Sequence, residues 1–180
     1  PMVAMDGYEA DDIVGTLAKH AEIEGFETYM MTSHKDYGQL VSPHIKIFKP
    51  GKFGQPAEIL GPEEICAKYG INRPEQLIDM LGLWGDTSDN IPGVPGIGQV
   101  RAQKLIATYD SIENMYACHL QSDNEKTRKL MLQYKDQALM SKQLATIMLN
   151  VPVEYDFNEM LYDGPDVVKL KAIFNELEFK

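Results

Sequence analysis

One stretch constrains this chain more than any other: Gly85-Asp86-Thr87-Ser88-Asp89-Asn90-Ile91-Pro92-Gly93-Val94-Pro95-Gly96-Ile97-Gly98. Glycine supplies turn conformations that side chains disfavour, and proline presets φ, so this run cannot continue a helix or pair as a central strand. It must be a built turn that opens the helix expected over Gln99–Tyr109. Two carboxylates precede it, Asp86 and Asp89, with hard oxygens of the kind that Mg²⁺ or Mn²⁺ accepts. The Gly-x-Gly turn at Gly96 and Gly98 exposes backbone N–H groups at a helix N-terminus, where a phosphate is stabilised. A metal site beside a phosphate grip suggests phosphodiester chemistry.

Charge bears on that suggestion. A formal net charge of −10 at pH 7 has the wrong sign for a generic nucleic-acid binder. The excess is uneven: residues 1–40 hold eight acids and two bases. A carboxylate cluster for divalent cations would account for part of it, because bound metal reverses the local field. With 44% hydrophobic residues in 180, the chain can build one substantial core or two small ones. Cys66 and Cys118 have no CxxC partner, which argues against a zinc site or disulfide framework and for buried thiols of a reduced, cytosolic protein. No run approaches the length needed to cross a bilayer, so no membrane is expected as a partner. The opening Pro1-Met2-Val3-Ala4-Met5 looks like the interior of a longer polypeptide.

Periodicity organises the remainder. A helix is expected over Glu9–Glu24, with Ile13, Val14, Leu17, Ala18 and Ala21 inward and Gly25 as its stop. Its first turn packs Glu9, Asp11 and Asp12. Those acids either complement the helix dipole or bind metal, and Glu9 and Asp12 share a face while Asp11 points aside. A strand over Glu27–Thr32 makes an αβ unit, whose ligand site lies beyond the strand's carboxyl end, at Ser33-His34-Lys35-Asp36. Asp36 either caps a helical turn over Tyr37–Leu40 or serves as a ligand, and His34 beside it could ligate a transition metal. Ile45–Lys49 alternates like a second strand closed by Pro50-Gly51-Lys52, and Gly54–Gly61 reads as an exposed connector. Helices follow over Pro62–Lys68, Pro74–Trp84 (Leu77, Ile78, Leu81 and Trp84 inward), Gln99–Tyr109, Ser111–Ala117, Asn124–Tyr134 and Gln137–Leu144. A last one over Asp166–Glu176 turns Val167, Leu170, Ile173 and Leu177 inward. Lys126, Arg128 and Lys129 form a basic run, either a solvated face or a secondary phosphate contact.

Four blocks in register carry a resemblance: Gly7-Tyr8-Glu9-Ala10-Asp11-Asp12-Ile13, Thr32-x-x-Lys35-Asp36-x-x-Gln39-Leu40-Val41, Leu83 to Gly98, and Leu170-Lys171-x-x-Phe174-x-Glu176-Leu177-Glu178-Phe179. Together they resemble the 5′-nuclease (5′→3′ exonuclease) domain of bacterial DNA polymerase I, in the flap-endonuclease superfamily. The resemblance implies an α/β fold: a partial PIN-like parallel sheet in residues 1–60, then a helical region, 61–180, with a helix–hairpin–helix at about 91–106 and a C-terminal helix. It implies that Glu9, Asp11 and Asp12 serve a first divalent cation and that Asp36, Asp86 and Asp89 serve a second, the two cleaving a phosphodiester bond together. It further implies a duplex-gripping hairpin (Gly93, Val94, Gly96, Ile97, Gly98, with Arg101 and Lys104), a K⁺ ion at its backbone, 5′-flap or nicked duplex DNA as substrate, polymerase domains in the same parent chain, and a bacterial, cytoplasmic, nucleoid-associated setting.

Three departures qualify the pattern. The family's N-terminal third, with its first strand and ligand Asp, has no counterpart, so the sheet is expected to expose an edge, lowering stability or promoting self-association. His34 stands where the family has Asp, which should weaken Mg²⁺ binding. Val100-Arg101 stands where it prefers Lys-Thr. A non-catalytic module that binds the duplex backbone is therefore the alternative to a nuclease.

Overall fold

The computed structural model describes residues 2–51, 54–118, 120–121 and 124–179. Two compact units divide the chain, Met5–Val151 and a second composed of Pro1–Ala4 with Pro152–Lys180. Lys52, the last residue of the expected turn after the second strand, lies outside the described residues.

The larger unit opens with α1 (Ala10–Ile23), β1 (Thr28–Met31), a 3₁₀ helix (Lys35–Leu40), β2 (Ile45–Lys49) and β3 (Glu58–Leu60). Ile13, Ala18 and Ala21 turn inward from α1 as its 3.6-residue period requires. The helix stops at Gly25, whose φ of 87° lets the Phe26 and Gly25 N–H groups close back on Ala21 and Glu22 carbonyls. β1 pairs parallel with β2, placing Met30 opposite Ile47, and β2 pairs antiparallel with β3. The sheet order is β1-β2-β3, with β1 at one edge. β3 corrects the expected connector over Gly54–Gly61. Its three residues are too few to show alternation, and only Leu60 reaches the core.

Among the described residues of this unit six helices follow: α2 (Pro62–Tyr69), α3 (Gln76–Trp84), α4 (Gln99–Tyr109), α5 (Ile112–Ala117), α6 (Glu125–Gln133) and α7 (Lys135–Ala145). α3 is the axis of the core. The sequence suggests one apolar face, but Leu77, Met80, Leu81 and Leu83 are all buried, together with Gln76 and Asp79, while Ile78 and Trp84 are half-buried. A helix buried on nearly every side must satisfy its polar groups internally. Gln76 does so by donating to the Asp110 carbonyl at 3.0 Å and accepting from the Asn72 N–H at 2.8 Å. Asp79 accepts from the Ile112 N–H at 2.9 Å and from Lys142 at 2.7 Å, which ties α3 to α5 and α7.

Cys66 is half-buried and Cys118 exposed, so the expectation of two buried thiols fails at Cys118, at the C-terminal end of α5. In the smaller unit, α8 (Val167–Glu176) starts at Asp166, whose side chain accepts from the Val168 and Lys169 N–H groups. No residue of α8 is buried, so the expected inward set Val167, Leu170, Ile173 and Leu177 is instead exposed. Periodicity identifies an apolar face, but whether that face is covered depends on what packs there.

After α3 the chain doubles back on itself. Gly85 has φ 81° and Gly93 φ 58°, and a Cβ placed on Gly93 would lie 2.4 Å from the Gly85 nitrogen and 2.6 Å from the Trp84 carbonyl carbon. Both obstacles are backbone, so neither can rotate away. Gly93→Ala is expected to cost about 2–4 kcal/mol from left-handed strain and overpacking together, read as a lowered unfolding midpoint in urea. Ala substitution at the exposed Gly96 (φ 78°), where a Cβ meets nothing within 4 Å, should cost about 1 kcal/mol, from φ alone.

Candidate metal centre

Two segments meet at the site. The first leaves the carboxyl end of β1, where parallel α/β units place their ligands. His34 starts the 3₁₀ helix, its N–H donating to Thr32 Oγ1 at 3.1 Å. The expectation that Asp36 caps the turn over Tyr37–Leu40 is corrected: the helix begins at Lys35, and Asp36 lies inside it. Asp36 is 6% exposed, and its Oδ1 has no hydrogen-bond partner. Burial pushes its carboxyl up to about 6; Asp86 and Asp89 push the same way, against the counteracting charges of His34 and Lys35.

The second segment comes from α3 through Gly85. Asp86 and Ile91 exchange backbone hydrogen bonds, each 2.8 Å, closing a turn that carries Asp89 on its exposed side. Asp86 is buried and ion-paired. Its Oδ1 accepts from the Ser88 N–H at 3.0 Å, and its Oδ2 lies 2.5 Å from Lys35 Nζ. Burial raises the Asp86 carboxyl, and Lys35 and the Ser88 N–H more than offset that, leaving it below the usual carboxylate range. The same ammonium sits 5.0 Å from the Trp84 ring centroid, a cation–π contact. Trp84, expected as core, thus also supports the site.

His34, Asp36 and Asp89 each present one ligand atom, all within 4.8 Å of one another, and His34 Nε2 stands 3.6 Å from Asp89 Oδ2. Among the described residues this is the one group of three metal-capable side chains that converges. Such an N,O,O set, with an orphaned buried carboxylate oxygen among its members, can hold a divalent cation.

Glu9, Asp11, Asp12 and Asp86 lie outside that group. Glu9 is the N-cap of α1. Asp12 accepts from the Glu9 N–H at 3.3 Å and from the Met148 N–H at 2.8 Å, so it latches the segment after α7 onto α1. Burial raises the Tyr37 hydroxyl, and the charges of Asp11 and Asp12 raise it further. The Tyr37 ring also lies 6.2 Å from His34 in a T-shaped contact.

The hairpin divides into buried and presented parts. Gly93 donates its N–H to Ser141 Oγ at 3.0 Å and accepts from Gln137 at 2.7 Å; Val94 and Ile97 spend their N–H groups on the Leu83 and Val94 carbonyls. Gly96 and Gly98 are exposed at the start of α4, as are Arg101 and Lys104. Arg101 donates to the Gly96 carbonyl at 2.9 Å and to Thr127 Oγ1 at 3.4 Å, bracing the turn.

Sequence reasoning gave Lys35 no role of its own and overlooked Ser141 and Gln137. A lysine immediately before a candidate ligand, in a chain whose first 40 residues hold only two bases, was a usable signal for the first. Nothing local marks the other two.

The raised Asp36 carboxyl has a consequence for stability. The unfolded chain loses this proton near 3.8 and the folded chain near 6, so metal-free stability falls as pH rises through that window and stays lower above it. Asp36→Asn, in chelator, should stabilise the chain by about 2–3 kcal/mol at pH 8 and by little at pH 4, measured by urea denaturation at both.

The chain can now be set against known proteins. Residues 1–70 match the family model "5′-3′ exonuclease, N-terminal resolvase-like domain", and residues 72–168 match "5′-3′ exonuclease, C-terminal SAM fold". DNA polymerase I of Bacillus caldotenax is 43% identical over 180 residues, covering 100% of this chain and 20% of its own. The chain thus spans about a fifth of the length of that relative. The solved T5 5′-exonuclease with bound divalent zinc ions aligns with TM-score 0.71 at 19% identity, over 81% of this chain and 52% of its own. The catalytic core of Rad2 in complex with DNA substrate aligns with TM-score 0.58 at 18% identity, over 93% and 55%. These last two are likenesses of fold. With both of its domain models matched in order along one chain, the protein belongs to the 5′-3′ exonuclease family.

Proposed function

We propose that this chain is the 5′-nuclease portion of a bacterial DNA polymerase I, hydrolysing phosphodiester bonds of 5′-flap or nicked duplex DNA during replication and repair. One observation carries the reading: the His34–Asp36–Asp89 cluster and the Gly/Pro hairpin are joined through the single Asp86–Ile91 turn, which puts a candidate metal site and a candidate phosphate grip on adjoining segments. Residues 1–60 would supply the nuclease core, and 61–180 the helical region with its hairpin at 91–106. The remaining four-fifths of such a parent would carry the polymerase domains, acting on nucleoid DNA in the cytoplasm.

Each residue then has a task. Asp36 and Asp89 hold a cation directly with His34 beside them. Asp86, neutralised by Lys35, fixes the turn that presents Asp89. Glu9, Asp11 and Asp12 form the rim of a first cation position at the start of α1. When bound, Mg²⁺ or Mn²⁺ at the two positions supplies an activated water and stabilises the leaving oxygen. The free amides of Gly96 and Gly98 with Arg101 and Lys104 hold phosphates without reading bases; Gly93, Val94 and Ile97 shape the turn from inside, and its carbonyls would take a K⁺ ion. Because the chain is strongly acidic overall, that grip is local and salt-sensitive.

A second reading, a duplex-binding module without catalysis, is favoured by the engagement of Asp12 in backbone hydrogen bonds and by its absence from the converged group. Cleavage of a 5′-flap duplex in Mn²⁺ separates the two. Asp89→Ala should lower the rate by about 10²-fold or more; equal cleavage by both proteins removes Asp89 from the site, and no cleavage in any metal rejects the nuclease reading. Arg101→Ala should weaken binding at low salt and reduce the salt slope by about one unit. Unchanged binding removes Arg101 from the interface.

A further inference from the structure

We propose that the position framed by His34, Asp36 and Asp89 selects a first-row transition ion over Mg²⁺, with His34 as the selectivity-determining ligand. For its role in catalysis the proposal rests on the nuclease reading; for the binding itself it does not.

Three observations support it. First, the ligand set is mixed. His34 Nε2 and Asp89 Oδ2 are 3.6 Å apart, and two atoms sharing one ion with bonds of about 2.1 Å stand about 3.0–3.4 Å apart, so a small adjustment closes the site. Second, the Asp36 carboxylate is 6% exposed with an unpartnered oxygen, already withdrawn from water and without a competing donor. Third, Lys35 withdraws Asp86 from the set. With Oδ2 ion-paired to the ammonium and Oδ1 accepting from the Ser88 N–H, the Asp86 charge is already met, and Asp86 lies outside the converged group. The donors that remain are one imidazole nitrogen and two carboxylates.

Charge and ligand softness then favour the same kind of ion. Lys35 cancels one of three carboxylates, leaving two negative charges for a divalent cation to match. Mg²⁺ favours all-oxygen surroundings and gives up water reluctantly, whereas imidazole nitrogen suits later first-row ions, whose affinities rise along the series from Mn²⁺ to Co²⁺ and Ni²⁺. The ring is held for this role: the His34 backbone is tied to Thr32, and the ring packs edge-on to Tyr37. His34 is half-exposed, so replacing it does not disturb the core.

Calorimetric titration of the chelator-stripped 180-residue chain with Mg²⁺, Mn²⁺ and Co²⁺, together with pulsed EPR of the Mn²⁺-loaded chain, tests this. Co²⁺ should bind at least about 100-fold more tightly than Mg²⁺. His34→Asp should compress that ratio at least about tenfold, with Mg²⁺ binding strengthened. Nitrogen modulation should be present in the unsubstituted chain and in His44→Ala, and absent in His34→Asp. The proposal is overturned if nitrogen modulation is missing from the unsubstituted chain, if His34→Asp leaves the ratio within about threefold, or if none of the ions binds at millimolar concentration. Nitrogen coupling in a chain that leaves a 5′-flap uncut would sink the nuclease reading and leave this site standing; cleavage without nitrogen coupling would do the reverse.

Discussion

The backbone crossing at Gly85 and Gly93 is the constraint on which the rest depends. α3 is buried nearly all round, and a buried helix cannot simply end in the interior with unpaired carbonyls. The chain reverses at once: Gly85 donates back to Leu81, Asp86 and Ile91 pair, and the Val94 N–H closes on Leu83. This return passes so near the helix end that a side chain at Gly93 has no room. The same crossing sets the functional geometry. It delivers Asp86 below the surface, lifts Asp89 above it, and sends the chain directly into the turn that opens α4.

Electrostatics follow from that placement. Two carboxylates, Asp36 and Asp86, are buried here, and the charges of Asp86 and Asp89 add to burial in raising the Asp36 carboxyl. Lys35 makes the arrangement tolerable by pairing with the deeper acid of the hairpin segment while its own backbone belongs to the segment after β1. Removing one partner of such a pair leaves a buried uncompensated charge, the costly half of any buried ion pair. The pair therefore joins the two segments at the place where the candidate ligands meet. Asp36 keeps the unmet demand for positive charge, which makes it the acid whose behaviour most depends on a cation.

Away from the site, the helical array and the α/β part are joined by polar groups rather than by apolar contact alone. Gln39, buried in the 3₁₀ helix, donates to the Ala145 carbonyl at 2.9 Å and accepts from the Ile147 N–H at 3.0 Å. Thr16 and Asp12 of α1 take the N–H groups of Val151 and Met148. An acid in the first turn of a helix has two uses, dipole complement and ligand, and here Asp12 holds a distant strand of chain in place. Its residue type was legible, and its use was not, because the donor lies 136 residues away.

The sequence by itself determined the elements and the chemistry on offer. Helix boundaries came from apolar period, caps and glycines; the hairpin came from Gly and Pro; the acids were visible by type. These are local properties, set by φ preferences and side-chain spacing within a few residues. Tertiary structure decided which candidates meet. It brought His34 into a group with Asp36 and Asp89, gave Asp86 to Lys35, spent the amides of Gly93, Val94 and Ile97 internally, and added β3, whose three residues are defined by their partner strand. It also left the apolar side of α8 exposed. Each of those outcomes depends on which group reaches a given donor, acceptor or surface first, and that competition is settled only when the chain is packed.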